Sequence, residues 1–225
     1  MWQRKAARRR QRSGGRSEFY GVVDLGTTML RLLVAEVRDG RSTVWGWADR
    51  PGGTGTITDV ESLTKVCSSA LGIAEEMAQE LSESWILPDQ ILVGVPAPQL
   101  RGRAWSVTQH RSRPDRPVEE RELEALLGRA LRLAVNQLRD NGSDDADWLL
   151  MDAVPVALTV DERRVTDPVG FRGSELGATV FAALVRSEVV EAWGLVAREL
   201  EFSALTLSAA PVALAAGLSQ HEEML

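Results

Sequence analysis

Cysteine is almost absent from this sequence, and its scarcity narrows the classes of protein to which the chain can belong. The only thiol among the 225 residues is that of Cys67, which has no partner for an internal disulfide and offers no thiolate cluster for zinc or iron–sulfur. One cysteine fits a reducing compartment. Long apolar runs are also missing, because residues 202–218 are shorter than the roughly 18 residues of a spanning helix and contain three hydroxyl residues and a proline. We therefore expect a cytoplasmic globular chain without a transmembrane segment.

Acidic side chains are missing from the first 16 residues, seven of which are basic. The rest of the chain carries 19 basic and 32 acidic residues, a formal charge of −13. With Trp2 as its one large apolar residue, the segment 1–17 is expected to be a disordered basic arm. Asp24 and Arg31 interrupt the apolar stretch that a signal peptide would need. Three roles for the arm stay open: a solvated tail, contact with an anionic membrane, and contact with nucleic acid.

Three short β-rich runs follow the arm, and tight turns join them. They cover residues 19–26, 29–37 and 42–48, so we predict an antiparallel meander. Trp45 and Trp47 alternate along the third run, which predicts that they share one face of the sheet.

A helix and a buried strand come next. Asp59 is placed to cap a helix in which Leu63, Cys67 and Leu81 belong to the apolar face, so that Cys67 is expected in the core. The continuous apolar run Ile91–Val95 is typical of a strand that is buried on both faces of a sheet. Together with the meander, these elements predict an α/β layered domain.

The region 98–185 has a different pattern, one long helix among several strands. Its acidic residues lie at the start of the helix and its arginines toward the end, which suits the helix macrodipole. The predicted elements are a strand at 99–108, the helix at 118–139, and strands at 148–152, 154–160 and 177–185. We therefore predict a small α+β module between two parts of the α/β domain.

One local motif has a chemical mechanism, the turn Asp24-Leu25-Gly26-Thr27-Thr28. Gly26 lets backbone N–H groups approach a phosphate, and the hydroxyls of Thr27 and Thr28 can donate to its oxygens. The carboxylate of Asp24, at the end of a strand, can hold magnesium through water. These residues alone leave two interpretations open, a phosphate site and a plain tight turn.

A wider pattern resembles the actin-like ATPases, and among them the bacterial cell-division family FtsA. The run Gly21-Val-Val-Asp-Leu-Gly-Thr-Thr, followed by Arg31-Leu-Leu-Val-Ala-Glu, is similar to the first phosphate loop of FtsA and the strand after it. Four further pieces agree in order from Tyr20 to the C-terminus. They are Asp59-Val-Glu-Ser, Ile91-Leu-Val-Gly-Val-Pro, Asp167-Pro-Val-Gly-Phe-Arg-Gly-Ser-Glu-Leu and the stretch 205–214.

The resemblance implies an actin-like (ribonuclease H-like) α/β subdomain, at 18–97 and 186–225, with a small α+β subdomain inserted at 98–185. It implies ATP with magnesium as a ligand of Asp24, Gly26, Thr27 and Thr28, with magnesium at Asp24 only when nucleotide is bound. It also implies a scaffold that self-associates and recruits division proteins through 98–185. We expect no catalysis by the chain as it stands, or slow, regulatory turnover.

The chain departs from the FtsA pattern in two respects. It stops at Leu225, so we expect a fragment or short form without the second phosphate loop, the FtsZ-docking region and the C-terminal membrane helix. Where FtsA usually has a lysine after the two threonines, this chain has Met29. An apolar side chain cannot pair with a phosphate, so we expect weak binding of ATP.

Related families remain as alternatives. PilM, a pilus-assembly relative of FtsA, has the same subdomain arrangement and would make the chain an adaptor for a partner's peptide. Hsp70-type and sugar-kinase-type ATPase lobes begin with a similar Asp-x-Gly-Thr loop, but the later pieces favour FtsA. We expect a cytoplasmic location, at the inner face of the cell membrane if the basic arm contacts lipid.

Overall fold

A computed structural model describes most of the chain and divides it into two compact units. The described residues are 17–52, 59–140 and 147–222. Unit 1 comprises Met1–Gln99 and Ser187–Leu225, and unit 2 comprises Leu100–Arg186. Of the predicted basic arm, only Ser17 lies within the described residues.

Unit 1 is built on a five-stranded sheet. Its strands are β1 (Glu18–Leu25), β2 (Met29–Arg38), β3 (Arg41–Pro51), β4 (Gln90–Val95) and β9 (Ala204–Ala209), in the order β3-β2-β1-β4-β9. The first three strands form the predicted antiparallel meander, and β4 and β9 extend the sheet on the other side of β1, parallel to it.

The helices of unit 1 are α1 (Val60–Ser82), α3 (Ser187–Glu199) and α4 (Ala210–Glu222). The N–H of Ser62 donates to the carboxylate of Asp59 at 3.2 Å, so the predicted cap of α1 is confirmed. Cys67 lies in the core as predicted, and burial raises the pKa of its thiol to about 12. Leu81 is instead exposed, because the last turn of α1 runs past Ala78, the last of the helix's buried residues.

The third strand corrects one prediction from the sequence. Trp45 and Trp47 do not share a face, because the pairing of β2 with β3 shifts by one residue at Trp45: Val34 pairs with Gly46, but Ala35 pairs with Val44. Such a bulge interrupts the two-residue alternation of a strand. The indole N–H of Trp45 donates to the buried carboxylate of Glu36 at 3.1 Å, whereas Trp47 is exposed.

Unit 2 is a four-stranded antiparallel sheet in the order β5-β8-β6-β7 with one helix on a face. Apolar side chains of the helix, among them Leu126 and Ala130, pack on Val107, Leu176 and Val180 of the sheet. The elements are β5 (Leu100–His110), α2 (Glu120–Asp140), β6 (Trp148–Val160), β7 (Arg163–Val165) and β8 (Glu175–Arg186).

Strand β6 replaces two strands that were predicted separately at 148–152 and 154–160. Ala153, at the predicted break, pairs with Ala182 of β8, so the strand is continuous there, and the pairing shifts instead on either side of it, at Leu150/Asp152 and at Pro155/Ala157. The predicted turn at Asp161-Glu162 is present, and both residues have positive φ. It leads into the short strand β7, which the sequence pattern did not predict.

A buried arginine holds two loops of unit 2 to helix α2. The Arg111 guanidinium donates to both carboxylate oxygens of Glu122, at 2.7 and 3.0 Å, and to the carbonyls of Arg116 and Gly173. Backbone bonds between Val118 and Phe171 and between Val118 and Gly170 join the same loops. The guanidinium lowers the pKa of Glu122 through its hydrogen bonds, as expected for a paired carboxylate.

The fold class predicted from the sequence is confirmed. A mixed sheet of an antiparallel meander and parallel strands forms unit 1, and the antiparallel α+β unit 2 is inserted between β4 and α3. This is the arrangement expected of an actin-like (ribonuclease H-like) subdomain with a small insertion. Among the residues that the structure describes, no helix has the length and apolarity needed to cross a membrane.

Candidate phosphate-binding site

The predicted phosphate turn is the loop of the β1–β2 hairpin. Leu25 pairs with Leu30, and the N–H of Gly26 donates to the carbonyl of Met29 at 2.9 Å, which leaves Thr27 and Thr28 as the loop. A Cβ on residue 26 would lie 3.0 Å from the Met29 carbonyl oxygen, so glycine permits this close approach. Both threonines are exposed.

A row of three charged side chains crosses the sheet just below the loop. Asp24 on β1 pairs with Arg31 on β2, and Arg31 pairs with Asp49 on β3, so all three side chains lie on one face. The Arg31 guanidinium is 3.6 Å from the Asp24 carboxylate and 3.6 Å from the Asp49 carboxylate. All three side chains are exposed, that of Arg31 by 60%.

The strand pairing at Asp24 continues across the parallel strands of unit 1. Asp24 pairs with Gly94 on β4, and Gly94 pairs with Ser208 on β9. These positions lie at the carboxyl ends of β1, β4 and β9, which is the edge where open α/β sheets bind their ligands. The loop and the row therefore form one candidate site.

The chemistry of this site suits an anion. The hydroxyls of Thr27 and Thr28 are exposed donors, and at 3.6 Å the contacts of Arg31 are ion pairs rather than hydrogen bonds, so its N–H groups can turn toward a phosphate. The N–H of Gly26 is already bonded to Met29. The loop therefore offers hydroxyls and a guanidinium, but not that backbone amide, to a phosphate.

The fit to magnesium is less direct than the fit to phosphate. The Asp24 carboxylate faces Arg31, so a cation held by Asp24 through water would compete with that guanidinium. Among residues 17–52, 59–140 and 147–222, no three His, Cys, Asp or Glu side chains are grouped so as to hold a metal. ATP with magnesium remains a prediction for this site.

The structure brings together all four residues predicted from the sequence and adds Arg31 and Asp49. Met29 is half-buried. Arg31, which is two residues further along β2, lies on the same face of the sheet as Met29. A signal for Arg31 was present, because a two-residue loop at Thr27 and Thr28 places Asp24 opposite Arg31. The resemblance to FtsA predicts a cation at position 29, whereas in this chain the cation is at position 31.

Comparisons with known proteins find similarity among solved structures. No protein-family model and no curated protein matches the chain. A solved PilM–PilN type IV pilus biogenesis complex is similar to this chain, with 14% sequence identity and a TM-score of 0.47. The match covers 84% of this chain and 46% of the other chain. A Bacteroides thetaiotaomicron protein with an actin-like ATPase fold and unknown function is also similar, with 8% sequence identity and a TM-score of 0.37. The match covers 90% of this chain and 56% of the other chain.

A third solved structure, the Aquifex aeolicus PPX-GPPA enzyme, is similar to 35% of this chain at 17% identity, with a TM-score of 0.22 over 27% of its own length. The chain thus spans about half, or less, of the length of these solved structures. All three TM-scores are below 0.5, so the fold assignment above depends on strand order and register instead.

Proposed function

We propose that the chain is the nucleotide-facing part of an FtsA-like cell-division scaffold, which recruits protein partners through unit 2 and responds to ATP as a conformational ligand. Two features support the proposal. The phosphate-compatible loop and row lie at the carboxyl ends of the unit 1 strands, and unit 2 is inserted after β4, where FtsA-like proteins place their small subdomain. The loop and row carry the nucleotide part of the proposal.

Arg31 is the cation of this proposed nucleotide site. Met29 and Arg31 lie on the same face of β2, and the guanidinium of Arg31 reaches the Asp24 side chain at the base of the loop. It can therefore supply the positive charge that the lysine after the two threonines supplies in FtsA. One guanidinium and two hydroxyls, with Asp24 and Asp49 nearby, give a weak site, so we expect a Kd for ATP with magnesium of about 1 mM, near −4 kcal/mol.

Calorimetry with ATP and magnesium tests this part of the proposal. Thr27→Ala and Arg31→Met should each abolish the binding heat and leave the far-UV spectrum unchanged. Asp24→Ala should abolish the binding heat as well if Asp24 holds the magnesium ion, and should strengthen binding if Asp24 only pairs with Arg31. Arg50→Met is the matched control, because Arg50 bonds to Ser69 of α1 instead of joining the Asp24–Arg31–Asp49 row, and should bind as the parent chain does. Met29→Lys should tighten binding. Micromolar affinity in the parent chain would mean that another surface completes the site.

The partner-binding part of the proposal is assigned to unit 2. Its loop at 168–173 presents the half-exposed Phe171 and the exposed Val169, while Arg111 and backbone bonds to Val118 fix the loop in place. Exposed aromatic side chains on a rigid support are typical of binding hot spots. A scaffold of this kind acts in the cytoplasm, at the inner face of the cell membrane.

Fluorescent tagging in the source cells tests the division role. The tagged chain should concentrate at the division site, and Phe171→Ser should disperse it, while the exposed substitution Val44→Ser in unit 1 should not. Concentration of the parent chain at pilus-assembly sites would favour the PilM-like adaptor instead. A dispersed signal for the parent chain would contradict both scaffold roles.

A further inference from the structure

The acidic excess of the chain is confined to unit 1. Without the arm, the unit 1 residues comprise 6 basic and 18 acidic side chains, a formal charge of −12. Unit 2 comprises 13 basic and 14 acidic side chains, a formal charge of −1. The basic arm carries +7 and is joined to unit 1, so the largest opposite charges in the molecule belong to the same unit.

The arm leaves unit 1 at the end of the sheet where helix α1 also ends. Ser17 accepts a hydrogen bond from the guanidinium of Arg38 at 2.7 Å, and β1 begins at the next residue. Asp89, in the segment between α1 and β4, donates its N–H to the carbonyl of Phe19 at 3.2 Å. The first residues of β1 therefore lie beside the chain that follows α1.

The end of α1 has an unbalanced negative charge. Glu76, Glu80 and Glu83 are exposed; the first two lie one helical turn apart on α1 and Glu83 is its C-cap, while the last turn of α1 has no basic residue. The last turns of α2 and α3 each contain an arginine, Arg139 and Arg198. Because a helix C-terminus is the negative pole of the macrodipole, these carboxylates add to a charge that a cation would offset.

The same end of α1 exposes apolar surface. Leu81 and Trp85 are 61% and 63% exposed, one in the last turn of the helix and the other just after it. Isolated exposed apolar residues are common, but here two large ones lie within five residues of each other and next to three carboxylates. This end, residues 76–85, has the chemistry to dock a basic segment that also contains an aromatic side chain.

We propose that the basic arm folds back onto residues 76–85 of its own chain. The arm has the complementary composition, seven basic residues and Trp2. Sixteen extended residues can span roughly 50 Å, whereas the last two turns of α1 are only about 11 Å long, so the tether does not limit the contact. Arginines of the arm pair with Glu76, Glu80 and Glu83, and Trp2 covers Trp85 or Leu81.

Docking in cis follows from the tether and the charges. An arm joined to Ser17 meets the acidic end of α1 at a high effective concentration, whereas a membrane or a nucleic acid must approach against the −12 charge of unit 1. Any external polyanion therefore has to displace the arm from α1. This inference concerns the arm alone and does not depend on nucleotide binding.

Zero-length carboxyl-to-amine cross-linking of the full chain tests the inference, because the chain has only two lysines, Lys5 in the arm and Lys65 in α1. Lys65 lies 2.6 Å from Glu61, so their cross-link is the internal control for the reaction. At low salt, Lys5 or the N-terminal amine should cross-link to Glu76, Glu80 or Glu83. Mixing labelled with unlabelled chains should show these cross-links within single chains only.

Two matched variants separate this contact from a general charge effect. The triple substitution Glu76→Gln, Glu80→Gln, Glu83→Gln should release the arm and increase sedimentation of the full chain with anionic vesicles. The same charge change in unit 2, Glu119→Gln, Glu120→Gln, Glu124→Gln, should leave both the sedimentation and the arm cross-links to residues 76–83 unchanged. The inference is overturned if Lys5 cross-links mainly to unit 2, mainly between chains, or not at all while Lys65 reacts normally.

Discussion

The two units of this chain are assembled in different ways. Unit 1 forms its sheet from two distant stretches, because β9 joins β4 from more than a hundred residues away, and it carries most of the acidic charge. Unit 2 is one continuous stretch of nearly neutral charge, and a buried arginine fixes its loops. The candidate ligand site lies where distant strands meet, whereas the proposed partner surface belongs to a unit with all its pairing partners nearby in sequence.

The sharpest consequence is that unit 2 should fold by itself. Residues 98–186, expressed alone, contain every strand of the second sheet and the helix that covers one of its faces, so we expect a cooperative unfolding transition. Its free energy of unfolding should be small, about 3–5 kcal/mol. Urea denaturation followed by circular dichroism is the measurement. If residues 98–186 unfold without a cooperative transition, the boundary of unit 2 lies elsewhere.

The next largest effect is expected when the ion pair between Arg111 and Glu122 in unit 2 is broken. The side chain of Arg111 is 3% exposed, and Arg111→Ala leaves Glu122 and two carbonyls without their donor. Breaking a buried pair in this way costs about 3–5 kcal/mol, enough to unfold isolated unit 2. Denaturation of the full chain, followed by a probe in unit 2, measures the effect. Arg129→Ala, on the exposed side of α2, should change the free energy by less than about 0.5 kcal/mol.

A smaller effect is expected from the packing of α1 on β3 in unit 1. A Cβ added at Gly46 would lie 2.0 Å from the carbonyl oxygen of Ala74, so Gly46→Ala should lower the free energy of unfolding by about 1–3 kcal/mol or more. Gly72→Ala is the control, since a Cβ there meets nothing and alanine favours the helix by roughly 0.5–1 kcal/mol. Equal melting temperatures for the two variants would contradict the close approach of strand and helix.

The smallest effect is a pH dependence of the stability of unit 2. Hydrogen bonds from Arg111 lower the pKa of Glu122 below its ordinary value of 4.5, so their stabilisation is complete above that value and is lost as pH falls through the lower folded pKa. Unit 2 should therefore lose stability as the pH falls below 4.5, the ordinary pKa of the carboxyl group. Denaturation curves of Glu122→Gln should change less over this range. If the free energy of unfolding depends on pH in the same way in the parent and in the variant, Glu122 is excluded as the source of the pH dependence.

Local signals made much of unit 1 predictable. The two-residue loop at Thr27 and Thr28, the cap at Asp59 and the apolar face around Cys67 each depend on residues close in sequence. The bulge at Trp45 was not predictable, because it is set by the pairing of β2 with β3 and not by the alternation of β3 itself. Gly94 and Ser208 lie beside the site because β4 and β9 pair in parallel with their neighbours. Long connections separate parallel strands in the sequence, so no local pattern predicts which of them pair.

The proposed function depends most on where phosphate binds, and an amide chemical-shift map of the labelled chain during titration with ATP and magnesium measures this directly. We predict shifts that saturate at millimolar nucleotide and are largest for residues 26–31 of unit 1, with none in residues 100–186 of unit 2. Arg31→Met should remove these shifts, and Arg50→Met should preserve them. Saturable shifts centred in unit 2, or shifts at residues 26–31 that persist in Arg31→Met, would contradict a phosphate site at this hairpin.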